Sequence, residues 1–457
     1  MIGEWEHALN LQESQHAKSK FDRDYALSSD LPTDLCRATP ALRSEGDAIR
    51  KQADEVKRHI ATQFDQLEAL YKQLHAHPEL SLREVQTADR LAKVMRSLGF
   101  EVTQKVGGTG VVAVLKNGAG PVVLVRTDMD ALPVVERTGL PYASTVDGVM
   151  HACGHDMHMT CWVGTARVLV EMKDRWQGTL VFIGQPAEEI GSGARQMLAA
   201  GLFAKFPRPD CCLMLHCDSF APYGSIAFSN GPALANAGAV EIVVRGRGGH
   251  GAAPHTTIDP VVLASRIVLD LQTLVSRETN PTDPAVVTVG SIHGGSKGNI
   301  IPSQVKLQLT VRSTKDSVHR HLLEGIRRIA EADARGANAP PPELTIDSEE
   351  FTPALVNDSK LTRRIVDTFN QVLGEDKVRE RAPVMGADDF ARYGREGIPI
   401  FMYSLGTVAP DRVAQAEKGN ATPLPSLHSD LYYPIPEPSI KTGVLTMSMA
   451  VLNLLGK

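Results

Sequence analysis

Apolar residues return at spacings of three and four from about Gly46 through Leu67, Leu70 and Leu74, the period of a helix with one buried face. The pattern stops at His77-Pro78, because a proline disfavours helical backbone in the residue before it. A second helical stretch covers 87–98 and closes at Gly99. The rhythm then changes. Residues 110–115 and 121–127 are rich in β-branched side chains, and VVLVR within the second is apolar enough for a central buried strand. A helix over 161–172, the strand GTLVFIG, a helix over 194–200 and the strand CCLMLH continue the alternation. Strands and helices at this spacing predict an α/β fold with a mostly parallel central sheet flanked by helices. Ligands in such sheets gather beyond the carboxyl ends of strands. Asp128, Glu188 and His216 each fall just past a predicted strand.

The middle of the chain runs to a different order. Strands at 239–245, 285–293, 301–312 and 343–347 enclose helices at 260–276 and 318–334. This is the β-α-β-β-α-β order of a ferredoxin-like unit. It predicts an inserted domain at 236–349 within a metal-binding main domain built from 51–235 and 350–457. Residues 1–50 are polar and weakly periodic and read as an N-terminal extension. A chain of 457 residues exceeds what one core usually serves, which agrees with two domains.

Bulk composition removes several classes of function. A formal net charge of -5 gives no electrostatic reason to expect nucleic acid. No run of about 18 apolar residues is present, so no membrane-spanning helix is expected. The N-terminus lacks the charged-then-apolar pattern of a secretory signal, and cytoplasmic residence is the expectation. Six cysteines in so long a chain read as reduced thiols, since disulfide frameworks belong to short secreted chains.

The densest chemistry lies in His151-Ala-Cys153-Gly-His155-Asp156-Met-His158. Imidazole, thiolate and carboxylate are the donors a borderline-soft divalent metal prefers, and a loop here would aim Cys153 and His155 into one site. A buried cysteine beside surface histidines is the plainer alternative. Glu188 and Glu189 follow GTLVFIG. One could bind metal while the other acts as general base, or both could form a solvated acidic turn at a helix start. His216 ends CCLMLH and would point into the ligand crevice, or be a structural histidine. His428 in LHSD says little alone. Of Asp128 and Asp130, one could orient a metal-bound histidine, or both could cap a turn. The glycine-rich segments around His250 and Asn299 read as binding loops or as ordinary hairpin loops. Arg312 could hold a carboxylate in bidentate fashion or make a surface salt bridge.

Taken in order, HPELS, RTDMDALP, HACGHDMH, GQPAEE, LH, GGHGAAPH, GNIIP, MGADDF and LHSD resemble the amidohydrolase branch of the aminoacylase and glutamate-carboxypeptidase family of dinuclear metallopeptidases. Hippurate hydrolase and the plant hydrolases that free indole-acetic acid from amino-acid conjugates belong to that branch. The likeness runs from about residue 60 to the C-terminus. It implies two divalent ions per subunit (Mn, Zn, Co or Ni) held by Cys153, His155, Glu189, His216 and His428, with Cys153 as a bridge. It implies Glu188 as general base, Asp130 as the carboxylate behind a ligand, and His250 and Asn299 as substrate-binding residues. His250 is expected to reach into a partner's site in a homodimer built through the inserted domain, which would also move as a lid. The implied reaction is hydrolysis of a small N-acyl amino acid by a metal-activated water; a di- or carboxypeptidase with the same chemistry is the first alternative, and a non-catalytic binding protein on this scaffold the second. The chain departs from the family at Ala387-Asp388, where a glycine and a glutamate are common, and at Cys217, where a thiol is unusual.

Overall fold

The computed structural model describes residues 40–419 and 423–456, so residues 1–39 of the expected extension lie outside the described residues. From Ala48 onward the chain forms one compact unit. Helix α1 is Pro40–Ala76, beginning earlier than the apolar period suggests because its leading turns carry no recurring stripe to mark them. Helix α2 is Val85–Ser97, and Gly99 follows with a φ of 85°.

Strands β1 (Glu101–Gln104), β2 (Val111–Asn117), β3 (Val122–Asp128), β4 (Gly178–Gln185), β5 (Cys211–Pro222) and β6 (Ile226–Phe228) belong to one eight-stranded sheet. Two strands from the C-terminal part of the chain, Val378–Glu380 and Ile400–Val408, complete it. The order is β1, β2, β4, β3, β5, Ile400–Val408, β6, Val378–Glu380. The central neighbours β4, β3, β5 and Ile400–Val408 are parallel, as the alternating pattern predicts. The β1–β2, β2–β4 and Ile400–Val408–β6 pairs are antiparallel, so the margins are mixed.

Side chains alternate between the two faces of this sheet with period two. Val123, Val125, Leu213 and Leu215 join the core formed with α1, α2 and the C-terminal helix Pro436–Leu455. Leu124, Cys212 and Met214 join a second core on the opposite face. Burying each such side chain contributes roughly 1.5–3 kcal/mol. Arg126, Asp128 and His216 share the parity of the second face, where the strands run out of apolar residues.

Two expectations change here. His216 does not end its strand: β5 continues to Pro222, paired with Ile400–Val408 so that His216 lies opposite Ser404. The segment His151–His158 is only partly a loop. Helix α3, His155–Glu171, starts at His155 rather than near Cys161. Gly154 precedes it with a φ of 86°, and a Cβ there would sit 2.9 Å from Cys217 Sγ, so no other residue fits this reversal easily.

Residues 236–352, running past the expected end at 349, form a separate four-stranded antiparallel sheet ordered Ala285–His293, Gln304–Ser313, Asn236–Arg245, Glu343–Thr352. Helices Pro260–Thr273 and Asp316–Gly336 pack on it around a core of their own, giving the ferredoxin-like unit that the element order predicts.

Beneath the α3 N-terminus, buried His75 from α1 bridges two carboxylates. Its Nδ1 lies 2.6 Å from Asp156 Oδ2 and its Nε2 lies 3.2 Å from Glu136 Oε1. Burial alone would lower its pKa, but Asp156 and Glu136 outweigh that and push it up to about 9. A raised folded-state pKa adds stability that is complete below the unfolded value of about 6.5 and is lost as pH rises through about 9. A shift of this size corresponds to roughly 3 kcal/mol. His75→Gln is therefore expected to flatten the fall in urea-unfolding free energy between pH 7 and 9.5 in metal-free protein. An undiminished alkaline slope in the variant would count against the bridge.

Candidate metal centre and active site

The candidate ligands arrive from separate elements. Cys153 sits in the loop before α3 and His155 opens that helix. Glu188 and Glu189 follow β4, His216 lies within β5, and His428 belongs to the turn before Pro436–Leu455. The fold brings Cys153, His155 and His216 into one group and Cys153, Glu189 and His428 into another, with donor atoms inside each group within 4.8 Å of one another. Cys153 is common to both groups. Its Sγ is 3.6 Å from His216 Nε2, and His428 Nε2 is 3.4 Å from Glu189 Oε2.

Two of the three imidazoles, His155 and His216, are turned by a partner on the other nitrogen. His155 Nδ1 lies 2.8 Å from the Asp130 carbonyl oxygen, which leaves Nε2 facing Glu188 and Glu189 at 3.8 Å each. His216 Nδ1 lies 2.9 Å from the Cys217 carbonyl, which leaves its Nε2 toward Cys153. The Asp130 carboxylate accepts from Ser81 Oγ at 2.7 Å and from the Glu189 backbone N–H at 3.0 Å, so it positions a ligand's backbone as well as the ring of His155. Ala187 and His428 carry φ values of 52° and 69°, a strained backbone held at the two places where the chain turns into the site.

Donor chemistry and unmet hydrogen bonds both fit a divalent cation. His155 Nε2 and Glu189 Oε1 are buried with no hydrogen-bond partner, which is costly unless something else occupies them. Burial opposes a proton on His155, yet Asp128, Asp130 and Glu189 push its pKa up to about 10: an excess of negative charge draws a cation of some kind. Burial, then His158, pushes His216 down to about 3, so it is a neutral donor. Burial raises Glu189 to about 7. Glu188 is raised well above the usual carboxylate range by burial, then by Asp388 and Glu189.

Sequence reasoning gave no role to several groups that build the site. His158 Nδ1 lies 2.7 Å from Asp128 Oδ1, and its Nε2 accepts the Cys217 backbone N–H at 2.8 Å. Both ring nitrogens are spent, so His158 fixes the strand beside His216 instead of offering a lone pair. Its place three residues after His155 puts the two on one helix face, a signal that was legible. Fully buried Arg126 holds Asp128 at 2.6 Å, Asp388 at 3.1 Å and Asp389 at 3.3 Å. The unusual Asp388 thus still reaches an ion pair that ties the 385–390 loop to β3, beside Glu188.

These groups open onto a cavity of about 720 Å³ lined by Cys153, Glu188, Glu189, His216 and His428 on one side and by Arg312 and Arg381 elsewhere. Arg312 is half-buried and donates to the Met385 carbonyl at 2.8 Å; among the described residues no carboxylate pairs with it. His250 and Asn299 are not in the lining. The Gly249–His250 and Ile300–Ile301 strands pair, and the Gly251 N–H donates to the Asn299 carbonyl, so both residues share one exposed ribbon.

Comparison with known proteins fits this arrangement. Residues 124–424 match the profile of Peptidase family M20/M25/M40. Over 345 residues the chain is 38% identical to IAA-amino acid hydrolase ILR1-like 2 of Arabidopsis thaliana, covering 75% of this chain and 77% of that one. It is 36% identical over 358 residues to thermostable carboxypeptidase 1 of Saccharolobus solfataricus, covering 78% and 89%. Among solved structures, the Bacillus subtilis YXEP protein, described as a dinuclear metal binding peptidase from the M20 family, superposes with a TM-score of 0.70 at 30% identity. That match covers 86% of this chain and 99% of the other.

Proposed function

Since the chain belongs to Peptidase family M20/M25/M40 and is a metal-dependent amide hydrolase, we propose that its substrates are N-acyl amino acids, conjugates like hippurate or indole-acetyl amino acids. The observation that carries this reading is an arginine without a carboxylate partner among the described residues, Arg312, lining the same cavity as the two ligand groups that share Cys153. A free α-carboxylate is the group such a guanidinium takes. Bound at the two groups, divalent cations would lower the pKa of a water and polarise an amide carbonyl. Cys153, His155, Glu189, His216 and His428 hold them in this reading, and the sulfur–nitrogen–oxygen donor set suits Zn, Co, Ni or Mn. Glu188 takes a proton from the attacking water and returns it to the departing amine. Its burial and its neighbour Asp388 favour the protonated form, which suits the second half of that task.

The exposed ribbon carrying His250 and Asn299 stands outside this chain's own cavity, which favours service in a second subunit, with the 236–349 unit as contact and lid. A thiol mechanism through Cys153 is disfavoured by the same geometry. Burial, Glu189 and Glu188 all raise its pKa, opposing the free thiolate that such a route needs.

Arg312→Met is expected to raise KM by ~10- to 100-fold with a smaller change in kcat, because it removes ground-state binding. Steady-state kinetics on the metal-loaded enzyme check this, and an unchanged KM would remove Arg312 from the site. The reading as a whole is tested by a panel of N-acyl amino acids and dipeptides on that enzyme. Faster cleavage of dipeptides would favour the carboxypeptidase alternative.

A further inference from the structure

The cavity has a second guanidinium whose setting differs from that of Arg312. Arg381 donates through Nη1 to Asp218 Oδ2 at 2.8 Å and through Nη2 to Ser404 Oγ at 2.6 Å. Its side chain keeps 29% of its surface exposed, toward the cavity it lines. Ser404 lies opposite His216 on the neighbouring strand, and Asp218 is two residues beyond His216. The guanidinium is thus fixed beside the ligand cluster. Asp218 offers a ligand little in return, because its other oxygen accepts the Phe220 backbone N–H at 2.9 Å. What faces the cavity is the unused part of a five-donor fork on a wall whose charge Asp218 has already balanced.

The two arginines lie at opposite ends of the short segment from Arg381 to Met385, whose carbonyl holds Arg312. Four residue steps span at most roughly 14 Å, the length scale of a small N-acyl amino acid. With the α-carboxylate on Arg312, Arg381 is the second guanidinium of the same cavity left to meet the acyl group.

Resting on the N-acyl amino acid reading above, we propose that Arg381 is a specificity-determining residue of the acyl pocket. Among small aliphatic acyl groups it favours those that end in an oxygen acceptor, such as a carboxamide, over hydrocarbon groups of the same shape. A neutral acceptor suffices because the Arg381–Asp218 pair carries no net charge. A plain hydrocarbon tip would strip water from the guanidinium without replacing its hydrogen bonds, the kind of mismatch that discriminates most strongly.

Two nearly isosteric substrates test this: an N-succinamoyl and an N-(4-methylpentanoyl) derivative of one amino acid, with kcat/KM measured on the metal-loaded enzyme. The wild type is expected to prefer the succinamoyl compound by ~10-fold or more. Arg381→Leu is expected to abolish or reverse that ratio, while Arg381→Lys, which keeps a donor, retains part of it. Free succinamate should also inhibit the wild type at lower concentration than 4-methylpentanoate, a comparison that needs no variant. A wild type without preference, or a ratio untouched by Arg381→Leu because both substrates decline together, would overturn the assignment and leave Arg381 a purely structural brace. Turnover of neither compound, with dipeptides cleaved instead, would overturn the parent reading and this one with it.

Discussion

Glu188→Gln is expected to lower kcat by ~100- to 10,000-fold, the usual contribution of a positioned general acid–base group, while the protein still binds metal. Glutamine keeps the shape and can donate or accept a hydrogen bond, but it cannot shuttle a proton. Glu188 suits that role because it faces His155 Nε2 at 3.8 Å without belonging to either group that contains Cys153. Its neighbours Asp388 and Asp389 are held by Arg126, so a negative field beside it persists in the variant. Kinetics and metal content measured on the same preparation separate the outcomes. Wild-type turnover with full metal would take the base away from Glu188, and loss of metal would make it a ligand instead.

The second large effect is expected at Cys153. Because both ligand groups contain it, Cys153→Ala should weaken both together, with metal stoichiometry dropping and activity falling on the order of 1,000-fold or more. The wild type should also release protons on binding metal. Burial and the glutamates keep the Cys153 thiol protonated without a cation, and the carboxylates around His155 keep that ring protonated. Metal affinity should therefore fall as pH is lowered. Calorimetric titrations in buffers of different ionisation enthalpy would count those protons, and a pH-independent affinity would contradict the donor assignment.

Much of the scaffold was written into the local pattern. Continuous apolar runs in β3 and β5 announce strands buried on both faces, and the β-α-β-β-α-β order of the middle region maps onto its sheet without rearrangement. Helix α3 was harder to place because its residues from His155 through Ala166 are all buried. A helix enclosed on every side has no polar stripe, and without one the 3.6-residue period disappears. The antiparallel margins of the large sheet were hidden for another reason: apolar pattern marks strands but does not order them.

Within the site, residue types and motif order identified the side chains that converge. The supports did not follow from any local signal. Arg126 and Asp388 stand 262 positions apart, and only the folded chain makes them partners. The same holds for Arg381 and Asp218, whose pairing depends on β5 running past His216.

The most direct test of the two-cation centre is anomalous diffraction at the metal absorption edge from crystals of the protein loaded with zinc or manganese. Two peaks are expected, one at coordination distance from Cys153, His155 and His216 and the other from Cys153, Glu189 and His428. Absence of a peak beside Cys153, or a single ion lodged among Glu188, Asp388 and Asp389, would contradict the account.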